Sequence, residues 1–278
     1  MLITFLAIIT SCGDDDENSS DDVSTSDDDG STTTDDDGTT TGELHAAFAE
    51  FDVDNTTISL NGSRVNIETN GLPNHTSPYW SNTTAREIDG ITTPAADEDH
   101  PLFVAPTVTS FDQMAPGNID DFNGSFSLIV DASPELASSS SATGLGAIGI
   151  ATSGAVIYND EEGPNVPLDN AVGSLDFNGS HTGPQSFHYH LEPISITNDD
   201  SELLGIISDG FFIYGRRDYP SGDYPDDLDE SGGHIGPTQH SDEDEYHYHI
   251  QNDIFEVGGD SFYIIFPGDY QGTPSAIQ

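Results

Sequence analysis

Two hexapeptides carry the residue types best suited to chemistry, SFHYHL at 186–191 and EYHYHI at 245–250. In a strand, residues at i and i+2 share a face. His188 and His190 therefore point one way, as do His247 and His249, while Tyr189 and Tyr248 point to the other side, where their rings can enter a core. Two imidazoles on one face are a common way for a strand to offer two metal ligands, with a third arriving from elsewhere. His181 in DFNGSHTGP (176–184) and His234 in DESGGHIGP (229–237) hold matching loop positions ahead of the hexamers and are the expected third ligands. His75, after a Gly-Leu-Pro-Asn turn, is an independent candidate. A ligating histidine needs an acceptor on its other ring nitrogen. Asp176 and Asp229, five residues before the loop histidines, are placed for that role, with Tyr158 and Tyr214 as further surrounding groups. Imidazole suits zinc, copper, iron and nickel, and zinc or copper leads for this donor set; the carboxylate-rich loops suit calcium. The competing reading is a hydrogen-bonded network of packing histidines, but packing alone rarely demands histidine at three matched positions twice.

The hexamer is doubled because a unit of about 55 residues is doubled. GIATSGAVIYN (149–159) aligns without a gap with GIISDGFFIYG (205–215), and the two Asp-x-x-Gly-x-His-x-Gly-Pro loops and the hexamers follow in the same order, giving units of about 145–195 and 201–255. The offset runs from 56 to 53 to 59 residues, so the connecting loops vary while the strand-like pieces persist. Two such units commonly pack about a pseudo-two-fold axis. The copies differ at Asp209, which stands where the first has Ser153; Asp209 is a weak catalytic candidate, as general base or ligand, and Asp before Gly is by default a turn cap. Arg216 and Arg217 follow that strand, placed to neutralise local aspartates or to clamp an anionic substrate. The acidic loop at 219–233 has the character of a calcium- or carbohydrate-facing segment.

The elements that must hold these residues are strands. TTISLNGSRVNIET, GSFSLIVDAS, GAVIYN, GFFIYG and DSFYIIFPG have strand length and composition, separated by Gly, Pro, Asn, Asp and Ser clusters. Only GELHAAFAEF has helical character. The expected class is mostly β, a sandwich- or barrel-like single domain with long loops, spanning 43–278 and built around the tandem duplication.

The ordered motifs NGLPNH (70–75), DFNGSHTGPQSFHYH, LLGIISDGFFIYG, LDESGGHIGP, EYHYHI and FPGDYQG together resemble the YHYH-domain family, named for the tetrapeptide at 246–249. The resemblance runs from about residue 55 to 272. It implies the domain and brings no assigned chemistry with it. Family members often carry cysteines near these motifs, whereas the one cysteine of this chain is Cys12, so no thiolate or disulfide role carries over.

Cys12 ends the stretch MLITFLAIITSC, which resembles a bacterial lipoprotein signal: residues 1–11 form the leader and Cys12 becomes the acylated first residue, without a lysine or arginine ahead of the apolar run. About ten apolar residues are too few to span a bilayer. Residues 12–42 are almost wholly Asp, Ser, Thr and Gly and read as a disordered, self-repelling tether. A lipid anchor at the membrane puts the protein in the cell envelope, facing periplasm or exterior. Across the chain 51 acidic residues face four basic ones. Such a surface repels phosphate backbones and excludes nucleic acid as a partner. It suits a saline or calcium-rich setting that screens the self-repulsion. The expected state is a monomer, and a polysaccharide or anionic ligand is an open alternative.

No nucleophile elbow, phosphate loop or zinc-protease helix is present, so hydrolase and nucleotide chemistries lack support. The leading expectation is a metal-binding envelope protein; a metal-dependent extracellular hydrolase or oxidase, and a metal-free adhesive module, are the alternatives.

Overall fold

The structure is a computed structural model that describes residues 43–75, 77, 86–88, 91–93, 124–172, 175–176, 178–183 and 186–278. The leader, Cys12 and the acidic tether lie outside these residues. Among the described residues, no helix is long and apolar enough to cross a membrane.

The stretch of helical character forms one short 3-10 helix, Ala46–Glu50. In chain order the strands are β1 (Thr56–Asn61), β2 (Arg64–Thr69), β3 (Arg86–Ile88), β4 (Ile91–Thr93), β5 (Phe126–Asp131), β6 (Ala147–Ala151) and β7 (Val156–Tyr158). There follow β8 (Glu161–Gly163), β9 (Val166–Pro167), β10 (Ser180–Thr182), β11 (Phe187–Tyr189), β12 (Leu203–Ile207) and β13 (Phe212–Tyr214). The last are β14 (Gly233–Thr238), β15 (Ser241–His249), β16 (Phe255–Val257) and β17 (Asp260–Phe262).

Eight of these make one sheet in the order β10-β11-β7-β6-β12-β13-β15-β14. The order is a palindrome of the duplication: β6, β7, β10 and β11 of the first copy answer to β12, β13, β14 and β15 of the second. The copies join where β6 pairs antiparallel with β12, and Ile150 faces its own repeat equivalent, Ile206. A local two-fold axis therefore passes between them, as the isologous packing of two like units requires. Gly149 pairs with Ile207 and Gly205 with Ala151 on either side of that axis, and the ladder of each hairpin slips beside the same glycine.

Both faces of this sheet are covered, so its central strands read as continuous apolar runs rather than alternating ones. On one face the β1-β2-β5 sheet contributes Val65, Ile67, Leu128 and Val130 to a core shared with Ile150, Val156, Ile206 and Phe212. On the other face Ile157, Tyr189, Ile213 and Tyr248 pack with Ile265, Phe266 and Tyr270 from the C-terminal segment. The result is a layered, mostly β sandwich. The barrel alternative does not hold, because the large sheet ends in two edges, β10 and β14.

The matched glycines at the axis are there for space. A Cβ on Gly205 would lie 2.3 Å from the Ile150 carbonyl oxygen, and one on Gly149 would lie 2.7 Å from that of Ile206. Substituting Gly205→Ala should therefore cost about 1–3 kcal/mol of stability through overpacking, measured by chemical denaturation. Gly144→Ala, with nothing within 4 Å of its Cβ, is the matched control and should be nearly neutral.

Candidate metal centres

The loop ahead of each hexamer is built in the same way in both copies. Asp176 Oδ1 accepts from the Asn178 N–H at 2.8 Å and the Ser180 hydroxyl at 2.6 Å. Asp229 Oδ1 accepts from the N–H groups of Ser231 at 2.8 Å and Gly233 at 3.0 Å. The carboxylate folds its own loop in the manner of an Asx turn. The turn leaves Gly179 at φ +63° and Gly232 at φ +82°, a region glycine enters at little cost. Their carbonyls accept from the backbone N–H of His190 at 2.9 Å and of His249 at 2.8 Å. These aspartates therefore shape the loops and are not the acceptors for the loop histidines, as the sequence had suggested. Burial pushes the Asp176 carboxyl up to about 6 against four hydrogen bonds that pull it down.

The turn passes directly into β10 or β14, so His181 and His234 are strand residues rather than loop residues. His181 stands opposite His188 in the β10–β11 ladder and His234 opposite His247 in the β14–β15 ladder. Directly opposed residues in such a ladder point to one face with Cβ atoms about 5 Å apart, and the hexamer's second histidine joins them two residues on. Two clusters result, His181, His188 and His190 in the first and His234, His247 and His249 in the second with Asp218, the ligand atoms of each lying within 4.8 Å of one another. All six histidines are buried.

In the second cluster the three Nε2 atoms form a small triangle, with separations of 3.0 Å (His247–His249), 3.1 Å (His234–His247) and 3.2 Å (His234–His249). Every other ring nitrogen faces an acceptor. His249 Nδ1 donates to the Gly215 carbonyl at 2.8 Å, His247 Nδ1 to the Glu245 carbonyl at 2.9 Å and His234 Nδ1 to the Asp227 carboxylate at 2.7 Å. Neither carbonyl can donate, and Asp227 is held below the usual carboxylate range by its bond to His234, so the Nδ1 atoms carry the protons. In a neutral imidazole the Nε2 atom then presents a lone pair. Three lone pairs thus converge on one point. Burial, reinforced by His249 beside it, lowers His247 to about 4, and burial lowers His249 to about 4.

The first cluster repeats the plan. His190 Nδ1 donates to the Asn159 carbonyl at 2.7 Å, and Asn159 is the repeat equivalent of Gly215. His181 and His188 bring their Nε2 atoms to 2.9 Å. His188 Nδ1 senses the Ser186 carbonyl without a formed hydrogen bond. Burial, then the neighbouring His190, lowers His181 to about 3; burial lowers His190 to about 4, and burial with both neighbours lowers His188 well below its ordinary value.

Tyr158 and Tyr214 line the histidines as rings rather than through their hydroxyls. Tyr158 stacks on His188 at 3.8 Å between centroids and Tyr214 meets His247 edge-on at 5.3 Å, while their hydroxyls bond Ser186 and His240. His75 does not join a cluster. It packs against Tyr189 on the opposite face of the sheet and bonds its hydroxyl. Asp209 lies on that face too, where its carboxylate accepts from the Tyr248 hydroxyl at 2.6 Å and the Gly272 N–H at 3.0 Å. The carboxylate is enclosed by these packing partners on the face away from the histidines, and burial raises it. Arg216 pairs with Glu192 at 2.9 Å and Arg217 with Asp199 at 2.8 Å, so these guanidiniums neutralise local acids. Among the described residues no acidic loop gathers three carboxylates into a third cluster.

The sequence reading missed two groups. Asp218 Oδ1 lies 3.8 Å from His234 Nε2. Glu162 Oε2, raised by burial, lies 3.6 Å from His181 Nε2 and 3.7 Å from His190 Nε2. Extending the ungapped repeat alignment by three residues would have exposed both.

The family model described as YHYH protein matches residues 127–226, which takes in the first hexamer and ends before the second. No curated protein and no solved structure matches the chain.

The proton positions can be read directly. Long-range proton–nitrogen NMR correlations of the metal-free protein should show His234, His247 and His249 as the Nδ1–H tautomer, with His247 and His249 staying neutral as pH falls through 6.5 and protonating near 4. An Nε2–H tautomer at any of the three would contradict the geometry.

Proposed function

We propose, from the match of residues 127–226 to the YHYH family model and the geometry above, that the protein is a lipid-anchored envelope or surface protein that binds a transition-metal ion in each of its two histidine clusters. The observation that carries this reading is the Nε2 triangle of His234, His247 and His249. Three buried lone pairs at such separations repel one another unless a positive charge sits between them. Protonating His247 or His249 is opposed by burial, and a water molecule has two protons for three acceptors. A divalent cation satisfies all three at once. An ion about 2.0–2.1 Å from each nitrogen would stand about 1 Å off their plane, which leaves the opposite side for a further ligand.

The carbonyl and carboxylate partners of the Nδ1 atoms support the same reading, since they fix the tautomer and ring direction that a metal ligand needs. Zinc and copper fit an all-imidazole triad, and zinc fits a tetrahedral site best. Binding is favoured over catalysis because Asp209, the candidate base, is committed to the opposite face. The formal charge of −47 supports a role in drawing cations toward the domain and argues against nucleic acid. Acylation at Cys12 and the acidic segment after it would hold the folded part, acting as a monomer, away from the membrane surface.

Elemental analysis of the purified chain after exposure to zinc, copper or iron should find two ions per molecule. The pairs His188→Ala/His190→Ala and His247→Ala/His249→Ala should each lose one, and their combination both. A wild-type chain that takes up none of these metals sinks the proposal. Separately, Cys12→Ser should move the protein from the membrane fraction to the soluble fraction of the producing cell.

A further inference from the structure

We infer that a carboxylate at one repeat-equivalent position closes each triad, Glu162 in the first copy and Asp218 in the second, so that each ion sits in a shell of three nitrogens and one oxygen. This rests on the metal reading above and goes beyond it, because it names the fourth ligand and leaves no position for a substrate.

Three observations carry it. First, Glu162 and Asp218 are 56 residues apart, the offset that relates Gly149 to Gly205 and Tyr158 to Tyr214. Each is the fourth residue after the strand tyrosine. They arrive from a segment separate from the histidine strands, so the geometry of the hexamers does not bring them there. Second, both point at the triads, with oxygen-to-Nε2 distances of 3.6 and 3.7 Å for Glu162 and 3.8 Å for Asp218. Ligand atoms on a tetrahedral ion at about 2.0–2.1 Å stand about 3.3–3.4 Å apart, so Glu162 is within a few tenths of an ångström of that spacing from His181 and His190, and Asp218 is about half an ångström beyond it from His234 and within 4.8 Å of all three of its histidines. Third, the described residues contain four buried side-chain atoms without a hydrogen-bond partner, and three of them lie in these clusters: Asp218 Oδ1, His190 Nε2 and His188 Nδ1. A buried carboxylate oxygen left unpaired is unfavourable. An ion between that oxygen and the second triad removes the cost at Asp218, and an ion in the first triad removes it at His190 Nε2.

The pattern differs from a catalytic zinc site, which keeps a position for water or substrate. A three-histidine, one-carboxylate shell with no open position is a holding site. It also selects against copper(I), which prefers sulfur donors.

Cobalt(II) in place of zinc reports coordination through its visible absorption, intense for four ligands and weak for five or six. Each site is measured in the full chain with the hexamer histidines of the other replaced by alanine. The wild-type site should give the four-coordinate band. Asp218→Asn and Glu162→Gln should bind cobalt at least about tenfold more weakly and lose the band's intensity. Asp218→Glu and Glu162→Asp, which keep a carboxylate, should retain much of it. Unchanged affinity and spectrum in the amide variants, with folding verified by circular dichroism, would overturn the fourth-ligand inference while metal binding stood. A wild-type chain that binds neither cobalt nor zinc would bring down the metal reading itself.

Discussion

The direction in which a few imidazole protons point governs the chemistry of this domain. His249 can turn its Nε2 lone pair toward His234 and His247 only because its Nδ1–H is held by the carbonyl of Gly215. That carbonyl is in place because β13 lies parallel to β15, with Tyr214 opposite His249. The same chain of dependence runs through the first copy, from β7 beside β11 to Asn159 and His190. The sheet order thus fixes a backbone acceptor, and the acceptor fixes the tautomer of the last histidine in each cluster, turning its Nε2 lone pair toward its neighbours. A buried convergence of lone pairs is unfavourable by itself. The surrounding β-structure holds the rings in that arrangement against their own repulsion.

Much of this was legible because strand periodicity is short-range physics. The i, i+2 rule separated Tyr248, fully buried among Phe211, Phe266 and Ile213, from His247 and His249 on the other face. The gapless alignment across Gly154 and Gly210 marked two copies of one unit, and the pseudo-two-fold axis at Ile150 and Ile206 is the three-dimensional form of that repeat. What could not be read was which strands become neighbours. Sequence spacing gives no sign that the first copy's β6 meets the second's β12, since the contact depends on matched glycines that let two backbones approach more closely than a Cβ permits.

The misreadings have the same origin. Asp176 and Asp229 sit five residues before their histidines, a distance that invites a hydrogen bond if the loop is open. The loop is instead tight, and each carboxylate is consumed by backbone N–H groups one turn away. Local competition for an aspartate outweighs a longer reach to a ring. His234 finds its acceptor in Asp227, which comes from the preceding acidic loop, where nothing distinguishes it from Asp223 or Asp226 in sequence. Glu162 and Asp218 were hidden because one copy has Glu and the other Asp, a change that keeps a carboxylate oxygen and alters only its reach.

The two faces of the hexamer strands have diverged differently, and that contrast separates function from packing. On the tyrosine face, Tyr189 bonds Ser153 and His75, whereas Tyr248 bonds Asp209, and the backbone N–H of Gln271 donates to the Tyr248 hydroxyl. The partners changed together, as packing partners do when a core is repacked to the same volume. On the histidine face the three rings, the carbonyl acceptor of the last ring and a carboxylate aimed at the cluster are present in both copies, although the connecting loops differ in length. A face that only needed filling could have drifted as its opposite did. Retaining the same donor atoms through a change of loop length, and through the exchange of Glu for Asp, is what a requirement on ligand atoms produces and a requirement on volume does not.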